Sequence, residues 1–107
     1  SIIERTVSPV YDSVGRISSE TIKVKLVGGK GLTQKFSYGY NKLGLLTSIE
    51  EFDEGGKLLY KKTMDYNDKR MLKFISVYNA NNELTEYYAK RYELYPTRDR
   101  RNQIIEY

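Results

Sequence analysis

Apolar and polar positions alternate along most of the chain with a period of two. From Leu32 the even positions read Leu32, Gln34, Phe36, Tyr38 and Tyr40. From Leu58 they read Leu58, Tyr60, Lys62, Met64 and Tyr66, and from Leu72 they read Leu72, Phe74, Ser76 and Tyr78. Successive side chains of a strand point to opposite faces of a sheet, so each set is expected on one face. The alternate positions are only partly polar, because Leu45, Ile49, Met71, Ile75 and Val77 fall among them. Both faces are therefore expected to be partly covered. Ile17 breaks phase with Ile22, Val24 and Leu26, and a one-residue bulge between Ser18 and Thr21 would reconcile them.

The alternating runs are punctuated by a recurring heptapeptide. Tyr11-Asp12-Ser13-Val14-Gly15-Arg16-Ile17 has an aromatic, then Asp, then Gly three positions later, then an aliphatic two further on. The pattern returns from Tyr40 through Asn41 and Gly44 to Leu46, and from Phe52 through Asp53 and Gly56 to Leu58. Looser copies run from Tyr66-Asn67 to Leu72 and from Tyr78-Asn79 to Leu84, with Arg70 and Asn82 at the glycine position. The aromatics at 40, 52, 66, 78 and 92 are spaced 12, 14, 12 and 14 apart, so alternate copies repeat every 26 residues.

The residue types explain the turn. Asp or Asn suits the first position of a type I turn, where its side chain accepts a backbone N–H. Gly three positions later suits the left-handed residue that closes a three-residue hairpin loop. Such a hairpin sets Tyr11 opposite Ile17, Tyr40 opposite Leu46, Phe52 opposite Leu58, Tyr66 opposite Leu72 and Tyr78 opposite Leu84 as cross-strand pairs. Gly28-Gly29-Lys30-Gly31 supplies one further turn without the aromatic.

These signals predict up to eight strands, near 3–11, 16–27, 32–40, 45–52, 57–66, 71–78, 83–93 and 103–107. Tight connections favour a sequential antiparallel meander. The expected class is all-β: an open, strongly twisted or rolled sheet built from tandem hairpins. Leu84–Tyr95 is the one stretch where a helix competes, and the phase of the repeat favours a strand there.

Composition narrows the picture. The 107 residues suit one domain, residues 1–107, and the abrupt start at Ser1 suits a mature or excised piece of a longer array. Eleven tyrosines carry much of the apolar content, and tyrosine favours half-buried pleated surfaces. The charge is +4, both signs are interspersed, and there is no cysteine to form a disulfide. No apolar run approaches the roughly 20 residues of a membrane helix, and no signal peptide is apparent.

The heptapeptides, Tyr11 to Ile17 above all, resemble the tyrosine-aspartate repeats of bacterial Rhs and related toxin proteins across roughly residues 7–93. The resemblance implies long strips of β-sheet, surface display, carbohydrate binding or toxin encapsulation, and an extracellular, periplasmic or cell-surface location. Two departures stand against shell formation by this chain alone: the copies are few, and the later ones lose the glycine.

Candidate chemistry is sparse. The chain has no histidine, so the commonest general base and metal ligand is missing, and no cofactor is expected. Gly28–Gly31 lacks the spacing of a phosphate loop, and Asp65-Tyr66-Asn67-Asp68 lacks the Gly and Glu of a calcium loop. Glu50, Glu51, Asp53 and Glu54 would have to converge for a small glycan-active enzyme, yet neighbours in a strand diverge. A non-catalytic module is therefore the expectation.

Two readings compete for Tyr38, Tyr40, Tyr60, Tyr66, Tyr78, Tyr88 and Tyr92: packing of the sheet face, or a platform for a glycan or protein partner. The tail Tyr87-Tyr88-Ala89-Lys90-Arg91-Tyr92, with Arg98, Arg100 and Arg101, mixes cations with rings as nucleic-acid binders do. The interleaved Glu86, Glu93 and Asp99 argue against that partner. An open meander also leaves two unpaired edges, which recruit strands from a second copy or from neighbouring repeats.

Overall fold

The computed structural model describes residues 2–90. Seven strands follow one another: β1 (Ile2–Tyr11), β2 (Ile17–Leu26), β3 (Gly31–Tyr40), β4 (Leu46–Phe52), β5 (Leu58–Tyr66), β6 (Leu72–Asn79) and β7 (Leu84–Ala89). They form one antiparallel sheet in the order β1-β2-β3-β4-β5-β6-β7, with every strand beside its sequence neighbours. The sheet is a meander and does not close into a barrel. The predicted strand at 103–107, together with Arg91 and Tyr92, lies outside the described residues.

All five aromatic–aliphatic pairs form as expected: Tyr11 faces Ile17, Tyr40 faces Leu46, Phe52 faces Leu58, Tyr66 faces Leu72 and Tyr78 faces Leu84. A register shift follows each pair. Val10 faces Ser19, so Ser18 is the extra residue, at the near edge of the stretch where the sequence calls for a bulge. The same step recurs at Thr47, Leu59, Lys73 and Thr85. The glycine turn between β2 and β3 has no such step, and its register runs unbroken from Ser19↔Ser37 to Lys25↔Gly31.

These bulges correct the expected faces. Each adds one residue, and one residue of slip moves a side chain to the other side of the sheet. Phe52 and Glu51 are neighbours, and they pair with Leu58 and Tyr60 respectively, so Leu58 and Tyr60 lie on opposite faces despite their even spacing. Leu72 is separated from Phe74, Ser76 and Tyr78 in the same way. One face carries Ile22, Phe36, Tyr38, Tyr40, Ile49, Tyr60, Met64 and Tyr66, and it is called the tyrosine face below. Tyr88 joins it opposite Ile75. Tyr78 does not, because it stands opposite Lys61 on the other face.

The hairpin pairs therefore alternate. At one end of the sheet Tyr11–Ile17, Tyr40–Leu46 and Tyr66–Leu72 lie on the tyrosine face. At the other end Phe52–Leu58 and Tyr78–Leu84 lie on the opposite face. Two hairpins are needed to return to the same end and face, which accounts for a 26-residue repeat made of steps of 12 and 14.

The core is thin. Ile22, Met64 and Ser76 are buried at 9%, 8% and 7% exposure, and no described side chain falls below 2%. The inner strands β3 and β4 are mostly half-buried, whereas β1 and β7 are exposed along their whole length. A single layer buries its central strands against flanking strands and leaves both outer strands to solvent. Pro9, which has no N–H to donate, sits on one of those outer strands, where it is tolerated.

Candidate functional site

The turns share one construction. In the first, the N–H of Asp12 donates to the Arg16 carbonyl at 2.7 Å, and that of Gly15 donates to the Asp12 carbonyl at 3.1 Å. Asp12 Oδ1 accepts the N–H groups of Val14 at 3.0 Å and Arg16 at 2.9 Å. Asn41, Asn67 and Asn79 use Oδ1 identically, each accepting the N–H groups two and four residues on. Asp53 holds the N–H of Lys57 at 2.9 Å. The repeated Asp or Asn is thus an internal clasp for loop donors that would otherwise be left to water.

The position three residues on is left-handed in every case, with φ of 88° at Gly15, 83° at Gly44, 89° at Gly56, 63° at Arg70 and 62° at Asn82. The glycine turn has the same backbone bonds around Leu26, which lacks a side-chain acceptor, and carries positive φ at both Gly28 and Gly29. Asp12 also pairs with Arg16 Nε at 2.9 Å. The Arg16 N–H on its carboxylate, outweighing the opposing effect of burial, holds the Asp12 pKa below its ordinary value.

The tyrosines of the central strands direct their hydroxyls inward. Tyr40 donates to the Ile17 carbonyl at 2.7 Å, and Tyr66 donates to the Leu46 carbonyl at 2.6 Å. Each reaches back to the first residue of the preceding strand, while the Arg16 guanidinium lies 4.5 Å from the centre of the Tyr40 ring. Tyr38 donates to Glu20, and burial followed by that carboxylate raises its pKa well above the usual tyrosine range. Burial, then the charge of Glu51, raises Tyr60. Phe36 lies between the two carboxylates, opposite both Glu20 and Glu51, and stacks with Tyr38 at 6.4 Å. These rings and hydroxyls serve the sheet itself.

Exposed aromatics collect on β7 instead. Tyr87 and Tyr88 are 54% and 53% exposed. Tyr87 stacks on Phe74 at 5.5 Å on the face opposite the tyrosines, and Tyr88 donates to Glu86 at 3.0 Å. The other outer strand, β1, exposes Ile2, Ile3, Val7, Val10 and Tyr11.

The acidic group around β4 diverges. Glu50 faces Ser37 and Lys61 on one side of the sheet, and Glu51 faces Phe36 and Tyr60 on the other. Asp53 is engaged in its turn, and the Glu54 carbonyl accepts Lys35 Nζ at 3.1 Å. Among the described residues, no three potential metal-ligating side chains come together, and no helix is long and apolar enough to cross a membrane. Comparison with family models, curated proteins and solved structures finds no match to the chain.

The bulge residues are structural positions that the heptapeptide reading passes over. The Ser18 hydroxyl donates to the Val10 carbonyl at 3.2 Å, and Thr85 donates to the Val77 carbonyl at 3.1 Å. The signal lies one position beyond the motif, where Ser18, Thr47 and Thr85 follow the aliphatic in three of five copies. Glu20 and Glu51 carry no such signal, because their role depends on strands brought alongside Phe36.

Proposed function

We propose that this chain is a non-catalytic hairpin-repeat module of a bacterial secreted or surface protein, joining a partner by strand addition at its outer edges. One observation carries the reading. The hydroxyls of Tyr38, Tyr40 and Tyr66 are engaged within the sheet, while β1 and β7 are exposed along their length and present Val7, Val10, Leu84 and Tyr87 to solvent. Unpaired edges offer rows of N–H and C=O groups that template another strand. The resemblance to tyrosine-aspartate repeats supports the same reading, since in such arrays each hairpin continues the sheet of the last. A glycan contact is the second reading, favoured by the exposed Tyr87 ring backed by Phe74.

The test is a binding screen on immobilised extended peptides and glycans, using the wild type, Val7→Pro on the β1 edge and Tyr87→Ala on β7. Peptide capture that depends on an edge supports strand addition. Glycan capture lost only in Tyr87→Ala replaces it with the second reading. Turnover of a glycan substrate would remove both.

A further inference from the structure

The sheet is two-sided. Ile22, Phe36, Tyr38, Ile49, Met64 and Ile75 share the tyrosine face, while Thr21, Lys23, Thr33, Ser37, Ser48 and Thr63 share the other. An antiparallel sheet patterned in this way packs one face on a core and gives the other to water. All seven strands lie in the one sheet, so among the described residues no second layer covers the tyrosine face. Its most buried side chains stop at 9% exposure for Ile22 and 8% for Met64.

The charges on this face have a pattern of their own. Glu20 and Glu51 stand on either side of Phe36, directly opposite it on β2 and β4. Lys62 stands between Ile49 and Val77 in the same way. Phe36 and Lys62 are 26 residues apart and so hold the same position in successive repeats. Glu20, Glu51 and Lys62 are half-buried, whereas Lys23 on the other face is exposed. Glu20 accepts the Tyr38 hydroxyl. Among the described residues none of the three forms an ion pair, although Lys62 is the diagonal neighbour of Glu51. A half-buried charge gives up part of its hydration and is stabilised by an opposite charge brought to it.

We propose that a second copy of this chain supplies the missing layer, tyrosine face to tyrosine face, with Lys62 of each copy seated over Phe36 of the other between Glu20 and Glu51. Phe36 is opposite Glu51, and Lys62 is opposite Ile49, so the two positions flank β4 one strand to either side. A two-fold axis that runs between the layers and crosses β4 between Ile49 and Glu51 exchanges them, which is the self-complementary contact of a symmetric dimer. Stacked sheets lie about 10 Å apart, a gap that a lysine and a glutamate close by reaching from opposite sides. The ring face of Phe36 attracts the same cation. Seven strands about 4.8 Å apart give a face about 30 Å across and about 25 Å along the strands. That is the order of the roughly 800 Å² each partner contributes to a stable interface. The other charges of the face, Arg5 on β1 and Glu86 on β7, lie away from this centre. The dimer uses the face and not the edges, so it stands independently of the strand addition proposed above.

Light scattering of the full chain over a concentration series is expected to show a reversible dimer. Lys62→Glu and Glu51→Lys are each expected to raise its dissociation constant about tenfold or more. Mixed in equal amounts, with one variant isotope-labelled, the two are expected to form a mixed dimer in native mass spectrometry that is tighter than either variant forms alone. One of its two sites is wild type, and the other carries the two charges exchanged. Lys23→Glu makes the same charge reversal on the other face and is expected to leave the dimer unchanged. Circular dichroism checks that the strands are retained. Should a charge reversal unfold the sheet, Lys62→Gln and Glu51→Gln carry the same expectation of a weaker dimer. A monomeric wild type at the highest concentration, failure of the two reversals to rescue each other, or equal weakening by Lys23→Glu overturns the proposal.

Discussion

Replacing Arg70 with glycine tests the turn construction at the point where the sequence departs from its own pattern. Arg70 holds φ at 63°, a conformation that the corresponding Gly44 adopts at 83°. A side chain in the left-handed region costs about 1–2 kcal/mol, because Cβ crowds the following carbonyl oxygen. Glycine gives back about 0.5–1 kcal/mol through its greater freedom when unfolded. The Arg70 side chain is exposed and makes no hydrogen bond or ion pair among the described residues, so little else is lost. The net expectation for Arg70→Gly is a gain of about 0.5–1 kcal/mol, a few degrees in Tm for a domain of about 100 residues.

The converse change, Gly44→Ala, isolates the backbone effect. A Cβ there meets nothing within 4 Å, so its cost of about 1 kcal/mol comes from φ alone. Asn82→Gly should be near neutral, since asparagine tolerates this region. Urea unfolding followed by tyrosine fluorescence measures all three, with the midpoint moving at constant slope. If Arg70→Gly destabilises the fold while Gly44→Ala leaves it unchanged, the left-handed residue is not what closes these turns.

Three further outcomes follow from the same geometry. Tyr40→Phe and Tyr66→Phe each remove a hydroxyl from a strand carbonyl and should each cost about 0.5–1.5 kcal/mol in urea unfolding, with larger losses where the carbonyl is left dry. Asn41→Ala frees the N–H groups of Leu43 and Leu45 and should cost about 1–2 kcal/mol, whereas Asn41→Asp, which keeps the acceptor, should cost much less. The raised pKa values of Tyr38 and Tyr60 imply stability that is complete below the ordinary tyrosine value of 10.0 and falls as pH rises toward their folded values. Melting temperature against pH should therefore drop above about pH 10, and Tyr38→Phe should soften that drop.

The pH argument runs the other way for Asp12. Its lowered pKa contributes stability that is present above the ordinary carboxylate value of 3.8 and lost as pH falls through the lower folded value. Asp12 is well solvated, so the effect is confined to the first hairpin, and backbone amide exchange at Val14 and Arg16 is the readout that resolves it.

Much of this molecule is local, and that part was legible in the chain. The positions of Asp12, Asn41, Asp53, Asn67 and Asn79 locate the turns because a clasp and a left-handed residue depend only on neighbours within four positions. The five aromatic–aliphatic pairs follow from loop length alone, and short connections leave the meander as the natural topology. The faces were not legible. One extra residue at Thr47, Leu59, Lys73 or Thr85 reverses everything beyond it, and whether a bulge forms depends on the register of the strand alongside. Only the assembled sheet decided that Tyr78 leaves the tyrosine face and that Tyr40 and Tyr66 spend their hydroxyls on preceding strands.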